Sequence, residues 1–427
     1  MIILPANHLQ RIQLNDEVHA RPPELLVAPT RISFLAMFSD TDAREGGFGA
    51  VRALAEQHGV APPRPGVNHY SADLGPFRLK WERHTEFARY KFIVAGTGSD
   101  PFDDPAIAAV PADWLASLPG QVMVAAHVAL LPPDPDGASP LAMARRLLPG
   151  NVLVGSAVSG GAASAFTDFR VRPDGFSRVL VQDHSLTPAQ AGRVVQRLLE
   201  IDTYRIMALL ALPVAQALAP EIARCEREVA GITAAMVTAH DPDEPVLLER
   251  LTRLAAEIDS RQADNLYRFS AAAAYDGLVQ RRIQELRETR LPGLQTLQEF
   301  TERRLAPAMN TCRSVAARQE ELSRRVARAT QLLATRVGVS REQQSQSVLE
   351  AMNRRVRLQL RLQSTVEGLS IAAVTYYIVG LVGYAAKAFK AAGGHVEPDL
   401  VMGISIPIVA ALMALGLRKV RQAVAHE

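Results

Sequence analysis

The sequence predicts an α+β N-terminal domain with a largely antiparallel sheet, then a long α-helical coiled-coil stalk, then a C-terminal two-helix transmembrane hairpin. Three observations predict this order. Short β-type runs punctuated by glycine and proline fill residues 31–182, apolar residues at alternating steps of three and four dominate after Ser185, and two uncharged runs of similar length lie near the C-terminus. The expected boundaries are 1–184 for a cytoplasmic α+β domain, 185–366 for the stalk, 367–417 for the hairpin and 418–427 for a basic cytoplasmic tail.

In the first segment Ile32 to Phe38, Phe77 to Trp81, Phe87 to Val94, Gln121 to Leu131, Asn151 to Ser156, Ala165 to Val171 and Phe176 to Val181 read as strands. Thr41 to His58 reads as a helix stopped by Gly59, with shorter helices at Pro111 to Leu118 and Pro140 to Leu148. Strands joined mostly by short turns point to an antiparallel sheet, and Arg172-Pro-Asp-Gly-Phe176 is the clearest hairpin turn.

Ser185-Leu-Thr-Pro188 has the cap and first-turn proline of a helix start, and no strand signal follows it. Ile222, Cys225, Val229, Ile232 and Met236 form one seam, ended by Asp241-Pro-Asp-Glu-Pro245. Leu251, Ile258, Asn265, Ala272, Val279 and Leu286 form a second at seven-residue intervals, broken by Leu291-Pro-Gly293. Leu305, Ala308, Cys312, Val315, Gln319, Leu322, Val326, Ala329 and Leu333 form a third. A helix from Gln295 to Glu367 would be about 110 Å long, a stalk, with Pro307 and Gly338 as places for a kink. Asn265 and Gln319 either fix register or are partly exposed polar residues. The two cysteines, Cys225 and Cys312, suggest neither a disulfide framework nor a zinc site and are expected to be small core residues in a reducing compartment.

Gly368 to Ala386 and Leu400 to Leu417 contain no charged residue, and each would cover about 27 Å as a helix. The alternative is a buried helical hairpin. The nearly equal run lengths and the asymmetric flanks favour the membrane: Arg354, Arg355, Arg357 and Arg361 precede the first run and Arg418, Lys419 and Arg421 follow the second. Both termini are then expected in the cytoplasm, with 387–399 outside. Tyr376, Tyr377 and Tyr384 and the pair Ala410 and Ala414 suit helix association, and Pro407 is tolerated with a local kink. The face Thr365, Gly368, Ala372, Thr375, Val379, Gly383 is a candidate pore lining or, more simply, a tight packing face.

Composition narrows function. The chain of 427 residues is 48% hydrophobic and 21% charged, which excludes both a polytopic membrane protein and a disordered chain. A net charge of +3 gives no reason to expect a nucleic-acid partner. Only five basic residues are lysine, a bias toward arginine that GC-rich coding produces by itself. Met1 to Gln10 lacks the pattern of a signal peptide, so export of the first domain is not expected.

Two polar segments stand out. Asn15-Asp-Glu-Val-His-Ala-Arg-Pro-Pro23 could place Glu17 and His19 on one side of an extended chain, or be a solvated loop. His69 to Phe87 is the densest polar and aromatic stretch. On a strand Lys80, Glu82 and His84 share one face and Leu79, Trp81 and Arg83 the other, so Arg78, Lys80, Glu82, His84 and Glu86 form a candidate ligand face, against the plainer reading of cross-strand ion pairs. Val154 to Gly161 matches neither a P-loop nor a dinucleotide fingerprint, and there is no nucleophile elbow, no His-Glu-x-x-His and no paired cysteine. No catalytic residue and no cofactor are therefore expected, and the identity of any metal is open.

The segments NDEVHARPPE, HYSADLGPFRLKWERHTEF and TVEGLSIAAVTYYIVGLVGYAAKAFKAAG resemble a bacterial family of uncharacterised membrane-anchored proteins over essentially the whole chain. That resemblance implies a bacterial inner-membrane location and brings no reaction or substrate. The order of domain, long helix, span, short loop and second span is similar to the CorA-type magnesium channels. Those carry Gly-Met-Asn at the outer end of the first span, where this chain reads Gly380-Leu-Val-Gly-Tyr-Ala-Ala386, so the resemblance carries over a shape and no functional residue. The expectation is a non-enzymatic scaffold or sensor in the bilayer, acting as a homo-oligomer. A divergent CorA-like divalent cation channel is the alternative, and a membrane-tethered enzyme using His69 to Glu86 a third.

Overall fold

The computed structural model describes residues 7–12, 14–15, 22–39, 41–97, 100–150, 152–238 and 242–424. The chain forms two compact units, Met1–Val237 with Glu249–Thr330, and Thr238–Leu248 with Gln331–Glu427.

The first unit is built on one mixed sheet. Its strands are β1 (Thr30–Phe38), β2 (His69–Asp73), β3 (Arg78–Arg83), β4 (Phe87–Ala95), β5 (Gln121–Leu131), β6 (Val154–Val158), β7 (Ala163–Thr167), β8 (Ser177–Asp183) and β9 (Thr289–Arg290), in the order β2-β3-β4-β1-β5-β8-β7-β6-β9. Every neighbouring pair is antiparallel except β5 and β8, so the largely antiparallel sheet expected from the sequence is present with one parallel joint. That joint arises because the chain leaves β5, makes the short helix α3 (Pro140–Leu147) and the β6–β7 pair, and only then returns beside β5. The turn before β8 forms as predicted, with Arg172 N donating to Phe176 O and Gly175 N to Arg172 O, each at 2.9 Å.

Two strands are additions to the sequence reading. β2 lies inside the polar segment that begins at His69, and β9 comes after residue 185, where no strand was expected. Two residues cannot show a period of two, and β9 exists only because Ser156 and Ala157 of β6 offer it a partner.

Alternation gives the sheet two different faces. Leu35, Met37, Leu79, Trp81, Tyr90 and Phe92 point to one side, where Val51 and Leu54 of α1 (Thr41–Gln57) and Trp114 of α2 (Ala112–Ala116) complete an apolar core. Trp114 stacks edge-on against Tyr90 and Phe92, with ring centres 6.1 Å from each, and its Nε1 donates to Ala50 O at 2.7 Å. The opposite side carries Phe34 and Ala36 beside Lys80, Glu82, Arg89 and Lys91, all buried.

The second face is covered by α4 (Pro188–Leu209), which starts where the cap signal placed it. Thr187 and Gln190 form a reciprocal capping box, and Pro188 occupies the first turn. α5 (Ala211–Thr238), α6 (Glu244–Leu286), α7 (Leu297–Arg304) and α8 (Ala306–Ala391) follow. Within the first unit the predicted seams face inward: Ile222, Cys225, Val229 and Ile232 on α5, Leu251, Ile258, Ala272, Val279 and Leu286 on α6, and Cys312, Val315, Gln319, Leu322 and Val326 on α8 are buried. Ion pairs stitch the same helices, Arg261 to Glu221 at 2.8 Å and Arg318 to Glu226 at 2.7 Å. These seams are therefore contacts within one chain. Asn265 is half-buried and donates to Arg261 O at 2.8 Å, a bond local to α6.

The single helix expected from Gln295 to Glu367 is interrupted at Leu305, beside Pro307, which takes the first turn of α8, where its missing N–H costs nothing; at Gly338 the helix is uninterrupted. In the second unit Leu333 and Val337 of α8 are buried with Leu247 of α6, and Arg336 pairs with the buried Glu244. Residues 341–366 of α8 are exposed on all sides. The last helix, α9 (Pro398–Val424), follows a short loop closed by Lys390 and Glu397 at 2.9 Å.

One close contact ties the segment before β1 to α4. The Cα of Gly192 packs against the carbonyl of Glu24 so tightly that a Cβ would overlap it. Gly192→Ala is expected to destabilise the protein by roughly 1–3 kcal/mol, because main chain has to move. Gly231→Ala, on α5 with nothing near its Cα, should leave stability unchanged or raise it by up to about 1 kcal/mol. Thermal melts of the two variants check the pair.

Candidate functional site

The sheet face toward α4 holds the residues that the sequence singled out. β3 and β4 form a hairpin in which Glu82 stands opposite Arg89 and Lys80 opposite Lys91. Glu82 Oε2 lies 2.8 Å from Arg89 Nη2, and Glu82 Oε1 3.4 Å from Lys80 Nζ. Arg89 then reaches Glu200 of α4 at 3.3 Å. Glu200 also accepts from Gln196 Nε2 at 2.9 Å and from Arg282 of α6, whose guanidinium binds Glu285 at 3.0 Å. Sheet, α4 and α6 are thus joined by one chain of alternating charges.

At the open edge Lys80 donates to the carbonyl of Pro22 and lies 3.9 Å from Glu24. Glu24 accepts from Ser71 Oγ at 2.8 Å and meets Arg78 at 3.4 Å. The remaining candidates form a separate cluster. His84 stacks on Phe87 with ring centres 4.6 Å apart, and the buried Glu86 accepts from Arg268 and, at 2.8 Å, from the Tyr275 hydroxyl. The five-residue face therefore divides: Lys80 and Glu82 touch, Arg78 joins them through Glu24, and His84 and Glu86 belong to an aromatic corner with Phe87, Tyr204 and Tyr275. The cross-strand ion pairs of the plainer reading are present.

Electrostatics follow from this packing. Burial alone would raise the Glu82 carboxyl, but Arg89, Lys91 and Lys80 outweigh it and hold the group at about 2. Glu200 is likewise pulled below its ordinary value, Arg89 and its hydrogen bonds overcoming burial. Lys91 moves the other way: burial brings it down to about 8, against the attraction of Glu82. The Tyr275 hydroxyl is raised by burial and by its bond to Glu86.

Arg89 and Lys91 were missed in the sequence although alternation along Phe87 to Val94 puts them on the face of Lys80 and Glu82. Glu200 and Arg282 could not have been found, being 111 and 82 residues from their partners Arg89 and Glu200. A further buried pair, Ser33 Oγ and His127 Nδ1 at 2.9 Å, also went unread. His127 stacks on Phe176 at 3.9 Å and burial lowers it to about 4, so it is a neutral core histidine at ordinary pH. Cys225 and Cys312 are buried free thiols raised by burial, which makes them poor nucleophiles. Among the described residues no group of three or more His, Cys, Asp or Glu could hold a metal ion. Glu17 and His19 lie outside the described residues.

On the candidate pore or packing face, Gly383 is buried against Met402 of α9, Thr375 and Val379 are half-buried, and Thr365, Gly368 and Ala372 are exposed. Among the described residues three helical stretches are long and apolar enough to cross a membrane: Pro188–Thr238, Leu297–Ala391 and Pro398–Gly416. The first was not expected.

Residues 6–424 match the family described as Protein of unknown function (DUF3422), and the chain belongs to that family. No curated protein and no solved structure matches it.

Glu82→Gln should cost about 1–3 kcal/mol, since it leaves the buried Arg89 with Glu200, and Lys80 with Glu24, as their remaining counter-charges. Because the folded carboxyl is more acidic than its ordinary value of 4.5, its contribution is complete above that pH and is lost as pH falls towards 2. Acid melts of the wild type should show this loss, and those of Glu82→Gln should show a smaller one, with the share of Glu200 remaining. For Lys91 the sign is reversed. The unfolded chain holds the extra proton between pH 8 and 10.5, so wild-type stability should rise across that window relative to Lys91→Met.

Proposed function

We propose that the protein is a non-enzymatic scaffold or sensor anchored in the bacterial cytoplasmic membrane as a homo-oligomer. The last part of α8 and α9 form its transmembrane hairpin, with spans at 368–386 and 400–417 and both termini in the cytoplasm. The observation that carries this reading is where apolar side chains go. In the Pro188–Thr238 stretch a third of the apolar window is buried (33%), and the buried residues are core. In Pro398–Gly416 none of the window is buried (0%) and Leu400 and Leu412 stand exposed, while in the window of α8 11% is buried and Leu369, Tyr376 and Leu381 stand exposed. Continuous apolar surface of that extent is unstable in water and stable in hydrocarbon.

The arginines before the first span and the basic residues after the second support the orientation. Leu349, Met352, Val356 and Leu360 follow helical spacing along the exposed stretch of α8, and copies held in one bilayer would present this stripe to each other. The charged cluster in the first unit supports a structural or ligand-sensing role, since its carboxylates are committed to ion pairs.

Deleting residues 368–427 should move the protein from the carbonate-resistant membrane fraction to the soluble fraction, and recovery in the membrane after deletion would overturn the anchoring. A cysteine placed in 387–399 should react with an impermeant maleimide from outside the cell. The divergent CorA-like channel, which shares the order of soluble domain, long helix and two spans, predicts magnesium flux into liposomes. The scaffold or sensor reading predicts none.

A further inference from the structure

Of the five lysines, Lys387, Lys390 and Lys419 flank the apolar runs, and the other two, Lys80 and Lys91, stand directly opposite each other in the β3–β4 ladder, both buried. Like charges so placed repel, and an ammonium taken out of water needs a counter-charge. Lys80 has its own in Glu82 and Glu24, with the Pro22 carbonyl besides. Lys91 is 5% exposed and makes no hydrogen bond or ion pair among the described residues.

Glu82 and Glu200 attract it from beyond ion-pair distance, and among the described residues no carboxylate lies in direct contact with it. Among the described residues the cluster's cations are Arg78, Lys80, Arg89, Lys91, Arg197 and Arg282, and its carboxylates Glu24, Asp73, Glu82, Glu200 and Glu285. Each carboxylate is bound to one or more of the other cations, so the positive charge left over is that of Lys91. We propose that Lys91 anchors a binding site for a small oxyanion, a carboxylate or phosphate group, on the helix-covered face of the sheet.

An ammonium suits this task as a compact point charge with three donors that needs no planar, bidentate partner. Lys80 across the ladder and Arg89 two residues along the strand add attraction, while Glu82 opposes it, so the site favours a small anion of low charge. All of these residues belong to the unit that carries the sheet, so the site and the membrane anchoring can fail separately.

The test uses the full chain in detergent, melted near pH 7 with chloride replaced by phosphate or by acetate at constant ionic strength. The wild type should gain about 2–4 °C for each tenfold rise of the bound anion above its dissociation constant. A gain with phosphate alone assigns a phosphate group, and a gain with acetate alone a carboxylate. Lys91→Met, which should fold because it removes an unpaired charge, should melt at one temperature in every salt. No gain with either anion, or an equal gain in Lys91→Met, overturns the site. Should that variant not fold, acylation of wild-type amines read by mass spectrometry replaces it: the effective anion should slow modification of Lys91 several-fold relative to Lys387, and an unchanged rate overturns the proposal.

Discussion

The ion pair between Glu82 and Arg89, prolonged through Glu200 to Arg282, sets the terms on which the first unit folds. A sheet face that carries four charged side chains on two neighbouring strands cannot be closed by an ordinary apolar helix, because each charge left without a partner would cost more than the burial of its neighbours returns. α4 brings Glu200 and α6 brings Arg282, and both must dock for the chain of charges to close. The compact unit therefore continues past residue 184, through α4 and α5 and into α6 and α8. The apolar face of the same sheet makes no such demand and is closed locally by α1 and α2.

Local chemistry was legible in the sequence wherever one segment sufficed to decide it. Alternation along Leu79 to Arg83 separated the charged face from the apolar one, Thr187 and Pro188 marked the start of α4, and the three-four spacing of Ile222 to Ile232 identified buried positions. Information that depends on a distant partner was absent. β9 has two residues and no pattern, the parallel joint of β5 and β8 depends on the excursion through α3, β6 and β7, and Glu200 reads in isolation as one more helical glutamate. The candidate face was half legible for the same reason: Lys80 and Glu82 were read correctly as neighbours, but His84 and Glu86 follow the turn into β4 and are claimed by Tyr275 and Arg268 of α6.

Seam residues teach a similar lesson. Spacing predicted that Cys225, Val315 and Gln319 face a partner, but spacing has no term for which chain supplies it. Within the first unit α5, α6 and α8 supply it to one another. Between residues 341 and 366 the same helix has apolar residues and no cover, so what distinguishes this part of α8 is the absence of a neighbouring helix and not the quality of the pattern.

Mean hydropathy fails at the corresponding point for the membrane. The windows in Pro188–Thr238 and Leu297–Ala391 share a value of 1.7, so hydropathy alone assigns them one environment. Their burial, 33% against 11%, separates them: the first turns more of its apolar side chains inward, and the second leaves most of its own exposed, which is what the proposed membrane hairpin requires. The charge pattern agrees with that division. Asp202 and Arg205 lie within the first stretch and pair with each other in a largely buried site, as a helix packed in a protein interior permits, whereas residues 368–386 contain no charged side chain that a hydrocarbon surrounding would penalise.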